Sequence, residues 1–364
     1  MPSSTAGLRG IIRLLVQNIT YILGFVPIIY LKWLPRDFGK RVLKWYSVAI
    51  CTLIGIGFIH YTFLKAGIPF APIIRDVGMT NDVAATMFGS NVVNRIYGFC
   101  GEPKNMAFAL VPFVLLILSK IFIGKEYNKK ILFIGICALF ILINTYSSAA
   151  YIEFFIGIIS VAYYALDRMN SKLKVLLISS SLLCCTLFYA HTLVELPDTE
   201  GADLKQEKTF VENLYDRSFG RAHSEIEEGR LEVQIFKDYI QSGNIVYYLF
   251  GYGPGQYSFH SQNLTFARGY IPVQSGLVLN LVDFGFFGFV YFIYLLLFVL
   301  KLYKKNKNNH NNLTLYFIIM GSAVLIGNTM YSMMGGSILI GMLLFIGIAY
   351  WINFNNTQID IYND

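Results

Sequence analysis

The chain has 364 residues, 55% of them hydrophobic and 14% charged, with a mean hydropathy of +0.53 and a formal charge of +7. Soluble domains carry roughly 25% charged residues, so a soluble globular protein is excluded, and the apolar content excludes low-complexity disorder. Aromatic residues reach 16%, a share that suits repeated bilayer spans flanked by aromatic belts.

A spanning helix needs about 20 mostly apolar residues. In chain order the sequence predicts spans at 43–63, 104–122, 131–147, 149–166, 174–192, 276–300, 313–331 and 335–352. A weaker run at 11–31 carries Arg13 and Pro27 and reads equally as a re-entrant or interfacial hairpin. It lacks a small-residue cleavage site, so no cleavable signal peptide is expected. The expected fold class is all-α: a polytopic integral membrane helix bundle of about 8–10 spans, with one large external loop containing an amphipathic helix. No internal repeat is visible.

Orientation follows from the basic residues of short loops. Segments 32–44, 119–130, 167–174 and 301–310 together hold 16 of the 29 Lys and Arg, and alternate between spans as cytoplasmic loops should. The positive charge is therefore topological, and no nucleic-acid partner is expected. Residues 1–192 then form an N-terminal membrane bundle with an external segment at 64–103. Residues 193–274 form a large external loop, and 275–364 the C-terminal membrane helices. The large loop carries 12 of the 22 acids. A loop of that length is usually functional.

Within this loop Ser224-x-x-Glu227 reads as a capping box. Ile226, Leu231, Ile235, Phe236, Tyr239 and Ile240 follow at helical spacing until Ser242-Gly243. Arg217, Arg221 and Arg230 cluster around its start, either as a solvated basic face or as an anion site. Gly251-Tyr252-Gly253-Pro254-Gly255 comes next, followed by His260. It lacks the Gly-Lys-Ser/Thr of a nucleotide loop and reads first as a tight turn requiring positive φ. Arg95 and Glu102-Pro103 sit directly before a span, where a charge is costly unless it is used, paired or snorkelling. Glu153 and Asp283 lie inside apolar runs, and intramembrane carboxylates are functional candidates. No DxD pair, His-x-x-x-His motif or cysteine/histidine cluster is present among the five cysteines and five histidines. No metal is expected on that ground, and no other cofactor is expected.

Three stretches together carry a family resemblance: Arg95-x-x-Gly98-x-x-x-Glu102-Pro103 before a span; Gly229-Arg230-Leu-Glu232, an apolar helix, then Leu249-Phe-Gly251-Tyr-Gly-Pro-Gly255-x-Tyr257; and Asp283-x-Gly285-x-x-Gly288 on the span after the large loop. In order and spacing, from about 95 to 300, the chain resembles the bacterial O-antigen polymerase and ligase superfamily of integral-membrane glycosyltransferases. Two positions depart from that pattern. Thr145-Tyr-Ser147-Ser148 lacks an arginine often found there, and Gln274-Ser275 stands where ligases carry His-Asn.

The resemblance implies an enzyme of the bacterial inner membrane that joins oligosaccharide repeat units carried on undecaprenyl diphosphate. It also implies lipopolysaccharide or other polysaccharide biosynthesis and a chain-length regulator as partner. The expected substrate-binding residues are Arg95, Arg217, Arg221, Arg230, Tyr252, Gly253 and Gly255. The expected general bases are Glu102, Glu232 and His260. The alternatives are a ligase transferring glycan to lipid A–core, a transporter or flippase of lipid-linked sugars, and a structural membrane subunit.

Overall fold

The structure is a computed structural model, and it describes residues 35, 37–66, 68, 85–88, 91–100, 103–145, 147–166, 231–253, 276–309, 311–331 and 345–349. In chain order the elements are α1 (Phe38–Lys65), β1 (Ala85–Phe88), β2 (Asn91–Asn94), α2 (Pro103–Phe122), α3 (Lys129–Asn144), α4 (Ser148–Leu166), α5 (Leu231–Gln241), α6 (Ile245–Phe250), α7 (Gly276–Lys305) and α8 (Asn312–Tyr331). Residues 345–349 add a further helical turn. The fold is helical. Among the described residues the one departure from the all-α expectation is the β1–β2 antiparallel hairpin, with Ala85 opposite Asn94 and Phe88 opposite Asn91. It falls inside the segment expected to be an external loop. The predicted runs at 11–31 and 174–192 lie outside the described residues, as does most of 335–352.

Among the described residues three helical stretches are long and apolar enough to cross a membrane: Phe38–Lys65, Pro103–Phe122 and Leu281–Lys305. At 1.5 Å per residue, each exceeds or matches a hydrocarbon core of about 30 Å. They differ in surroundings. Most of the apolar window of α2 is buried, whereas less than a quarter of the windows of α1 and α7 is buried. Trp45, Phe133, Phe155 and Tyr294 are also exposed. Apolar surface on this scale needs lipid or a partner protein to cover it.

The core is built on α2. It packs against α4 and α8, which also pack on each other, with α3 against α2 and α7 against α8. Phe113, Leu115, Leu142, Val161, Phe317 and Ile318 belong to one continuous cluster. Without a strong hydrophobic drive between helices in lipid, close approach depends on small residues. Gly157 supplies one such place, since a Cβ there would overlap the Leu115 side chain. Pro103 begins α2, where its missing N–H costs nothing. Pro112, in mid-helix, removes one rung of the hydrogen-bond ladder. Near that gap the Ala109 carbonyl accepts from the Tyr46 hydroxyl of α1 at 2.9 Å. Deeper in, the Tyr303 hydroxyl of α7 donates to Ser160 Oγ of α4 at 2.5 Å and also meets Ser322 Oγ of α8. Three helices are thus joined by side-chain polar contacts where water is scarce.

Contacts fix which helix ends lie together. Tyr316, near the start of α8, donates to Glu126 in the α2–α3 turn at 3.4 Å. Lys305 is joined to α8 by a short turn, so the end of α7 lies there too. The 20 residue-to-residue steps from Gly285 to Lys305 span about 30 Å of helix. They carry Gly285 towards the opposite end, where residues 95–98 meet the C-terminus of α3.

Candidate functional site

Two assemblies occupy that opposite end. The first is the 95–100 loop between β2 and α2. Arg95 Nε donates to the Thr145 carbonyl at 2.9 Å, and Ile96 N donates to the Asn144 carbonyl at 3.2 Å. Both acceptors are at the C-terminus of α3, where carbonyls lack intrahelical partners and the helix dipole favours a cation. Arg95 therefore caps a helix in addition to any role towards a ligand. The Tyr97 and Gly98 N–H groups donate to Nδ1 of His60, at 3.3 and 3.1 Å. His60 is fully buried on α1, with its ring edge-on to Tyr97 at 4.3 Å. An Nδ1 that accepts two bonds carries no proton, so the imidazole is the Nε2–H tautomer, as the bonding pattern assigns it. Gly98 has φ +53, which suits glycine. Burial pushes the Tyr97 phenol and the Cys100 thiol up, so Cys100 is not poised as a thiolate nucleophile.

His60 is the residue that sequence reasoning missed. A lone histidine in an apolar run carries no local signal, and its partners lie 37 and 38 residues away.

The second assembly joins α5, α6 and α7. Ile235 and Tyr239 are the buried face of α5 with Phe236 packed beside them, whereas Ile240 of the predicted apolar series is exposed, and Ser242-Gly243 ends the helix with Gly243 at φ +62. Asn244 then caps α6, accepting from Val246 N at 3.0 Å. Gly251 follows at φ +76 and Gly253 at φ +90, so residues 251–253 of the glycine-rich stretch have the positive φ expected of a turn there, and Pro254-Gly255 lie outside the described residues. What it turns against was not legible in the sequence. Gly285 breaks α7 with φ +59 and ψ −138. That break removes the ordinary i+4 donors from the carbonyls before it. Tyr252 N donates to the Val282 carbonyl at 2.8 Å and Gly253 N to the Asp283 carbonyl at 3.1 Å. The turn thus satisfies carbonyls at the helix break, as buried backbone requires.

The two glycines make this possible by close backbone approach. A Cβ on Gly285 would sit 2.7 Å from Gly251 N and from the Tyr248 carbonyl oxygen. A Cβ on Gly251 would overlap the backbone of Asp283 and Phe284. Around them Tyr239, Tyr247, Tyr248 and Tyr252 pack edge to face, and Tyr239 donates to the Tyr247 carbonyl at 3.0 Å. Burial raises the Tyr239 and Tyr252 phenols, which keeps both neutral. Asp283 is buried beside the break.

Of the sequence-predicted site residues, the structure describes Arg95, Tyr252 and Gly253 in full and Glu232 only as a helical position near the start of α5. The N–H groups of Tyr252 and Gly253 are committed to α7, so a substrate contact from Tyr252 would come from its side chain. Glu102, Arg217, Arg221, Arg230, Gly255 and His260 lie outside the described residues. Glu102 immediately precedes Pro103 in the sequence. Among the described residues no three His, Cys, Asp or Glu side chains come together as a metal site. No family model, curated protein or solved structure matches the chain.

Proposed function

We propose that the protein is a polytopic glycosyltransferase of the bacterial inner membrane. It polymerises undecaprenyl-diphosphate-linked oligosaccharide repeat units on the outer face, with about 8–10 spans, basic loops in the cytoplasm and residues 193–274 outside. The observation that carries this reading is the contact between Gly251-Tyr-Gly253 and the Asp283–Gly285 helix break. These are two of the three stretches on which the family resemblance rests, and they meet as one backbone unit. The Arg95 loop, which is the third, lies towards the same end of the bundle. Broken helices in membrane proteins recur where polar ligands are bound.

In the proposed reaction an acceptor sugar hydroxyl attacks the anomeric carbon of the donor glycan. A new C–O bond forms, and the bond from that carbon to the diphosphate oxygen breaks. The electron pair leaves with undecaprenyl diphosphate, and the hydroxyl proton passes to a general base. Arg95, Arg230 and Arg217 or Arg221 stabilise the charge that develops on the diphosphate. Planar guanidinium forks suit phosphate oxygens, and stabilisation of developing charge is commonly the largest catalytic contribution. Glu102, Glu232 and His260 are the proposed bases, Glu102 being nearest Arg95 in sequence. Gln274-Ser275, in place of the His-Asn of ligases, favours polymerisation over transfer to lipid A–core.

The test uses purified protein, an undecaprenyl-diphosphate-linked repeat unit and EDTA. A ladder of longer lipid-linked glycans is the expected result and establishes metal-independent polymerisation. Transfer only when lipid A–core is supplied would replace polymerase by ligase. Absence of transfer with both acceptors and authentic substrate would move the reading to transport.

A further inference from the structure

Helix α6 is amphipathic in the wrong sense for water. Its packed face is Tyr247 and Tyr248, turned to the tyrosine cluster, with the Tyr248 hydroxyl donating to the Ile240 carbonyl. Its other face is Ile245, Val246, Leu249 and Phe250, which are 66%, 54%, 42% and 60% exposed. The helix has no charged residue. Four large apolar side chains on about two turns are too many to leave in solvent when polar groups face inward.

The position of α6 says what covers this face. Phe250 lies against Phe287 of α7 with ring centroids 5.7 Å apart. Phe284, Phe286, Phe287 and Phe289 are themselves exposed on α7, within or beside its spanning stretch Leu281–Lys305. The apolar face of α6 therefore continues the exposed face of a spanning helix. The two are held at one level by the Tyr252–Val282 and Gly253–Asp283 hydrogen bonds. Gly285 is four residues, or about 6 Å, inside the start of that stretch. Lys237 and Asp238, the charges nearest in sequence before α6, remain on α5.

We propose that α6 is inserted among the acyl chains of the leaflet around the Gly285 end of α7. It is an interfacial wedge, and the turn at 251–253 and Asp283 lie at the membrane boundary. The occupant of the exposed face is bulk lipid. This does not rest on the proposed reaction, and it moves residues 245–253 of the large loop from the aqueous side into the bilayer surface.

The experiment uses the full chain in phospholipid nanodiscs. In a cysteine-free background, Leu249→Cys, Ser242→Cys and Val290→Cys are labelled separately with an environment-sensitive fluorophore. Quenching is read with acyl-chain doxyl lipid and with aqueous iodide. The expected result is a loss of fluorescence to doxyl lipid at position 249 comparable to that at 290, with little loss to iodide. Position 242 should show the reverse. Iodide quenching at 249 without doxyl quenching would overturn the proposal. So would protection from both with cross-linking between copies, which would make the face a dimer contact. A drop in doxyl quenching at 249 but not at 290, on adding undecaprenyl phosphate, would replace bulk lipid by a bound isoprenoid tail. A second measurement needs no variant: a diazirine-bearing lipid, photolysed with the wild-type chain, should label the peptide containing 245–250 more than that containing 231–241. Equal or reversed labelling would also overturn it.

Discussion

Gly285 and Gly98 both have positive φ, yet substitution should affect them unequally. At Gly98 the nearest atom to an added Cβ is Met106 Sδ at 3.4 Å, an ordinary contact. Gly98→Ala is left with the left-handed backbone cost, about 1–2 kcal/mol. At Gly285 the same methyl meets the backbone of residues 248–251 at 2.7 Å and the conformation suits glycine almost alone, with roughly 1–3 kcal/mol of strain before any overlap. Gly285→Ala should therefore lower the unfolding temperature in detergent well beyond Gly98→Ala. Equal shifts would show that the Gly251–Gly285 contact does not hold α7. His60 and Glu153 make an opposed pair. His60→Leu leaves two backbone N–H groups without their acceptor, at roughly 1–3 kcal/mol each, and should destabilise. Glu153 is fully buried on α4, and neither carboxyl oxygen has a hydrogen-bond partner among the described residues. Glu153→Leu removes that cost and should raise the unfolding temperature. A fall would mean the carboxyl stabilises the bundle.

At the scale of elements, α1, α2, α4 and α8 were legible because each is a long apolar run with local boundaries. Pro103 starts α2, and α3 ends at Asn144 before α4 starts at Ser148, within a few residues of the expected limits. The run that became α7 was legible as a span, but its break was not. Glycine is common in membrane helices, and nothing in Asp283-Phe-Gly285-Phe-Phe says that the helix opens there. The break depends on carbonyls finding donors in a turn more than 25 residues earlier. The same applies to Arg95, whose position at a span boundary was visible but whose acceptor, the Thr145 carbonyl, is 50 residues away. This helix-capping contact, beside the proposed role towards diphosphate, bears on its test. Arg95→Lys keeps the charge and loses both Nε and the planar fork. The expected outcome is a small fall in unfolding temperature, since one hydrogen bond is worth about 1 kcal/mol, with a much larger fall in glycan polymerisation. Proportionate losses in both would reduce Arg95 to a helix cap.

For the whole molecule, the contacts order the helix ends, while the side of the membrane each end faces is read from charge. The α2–α3 turn with the start of α3, and the end of α7 with the turn after it, carry Lys125, Lys129, Lys130, Lys304, Lys305 and Lys307, and Tyr316–Glu126 draws those two regions together. The opposite end holds the His60-bound loop and the Gly251–Gly285 unit. It has Arg95 as a cation engaged with a helix terminus and Asp283 buried beside the break. Positive charge in short loops stays on the cytoplasmic side, so both assemblies should face outward. Outward placement suits a reaction on lipid-linked glycans after their transfer across the membrane. Two single-cysteine variants in a cysteine-free background test this in intact cells: Glu126→Cys in the lysine-rich turn and Ser242→Cys after α5. A membrane-impermeant maleimide should modify position 242 and spare 126 until the membrane is opened. Modification of 126 alone would invert the topology and place the glycine unit in the cytoplasm, beyond the reach of an outer-face polymerase. Modification of both in sealed cells would mean that the basic loops do not set the orientation.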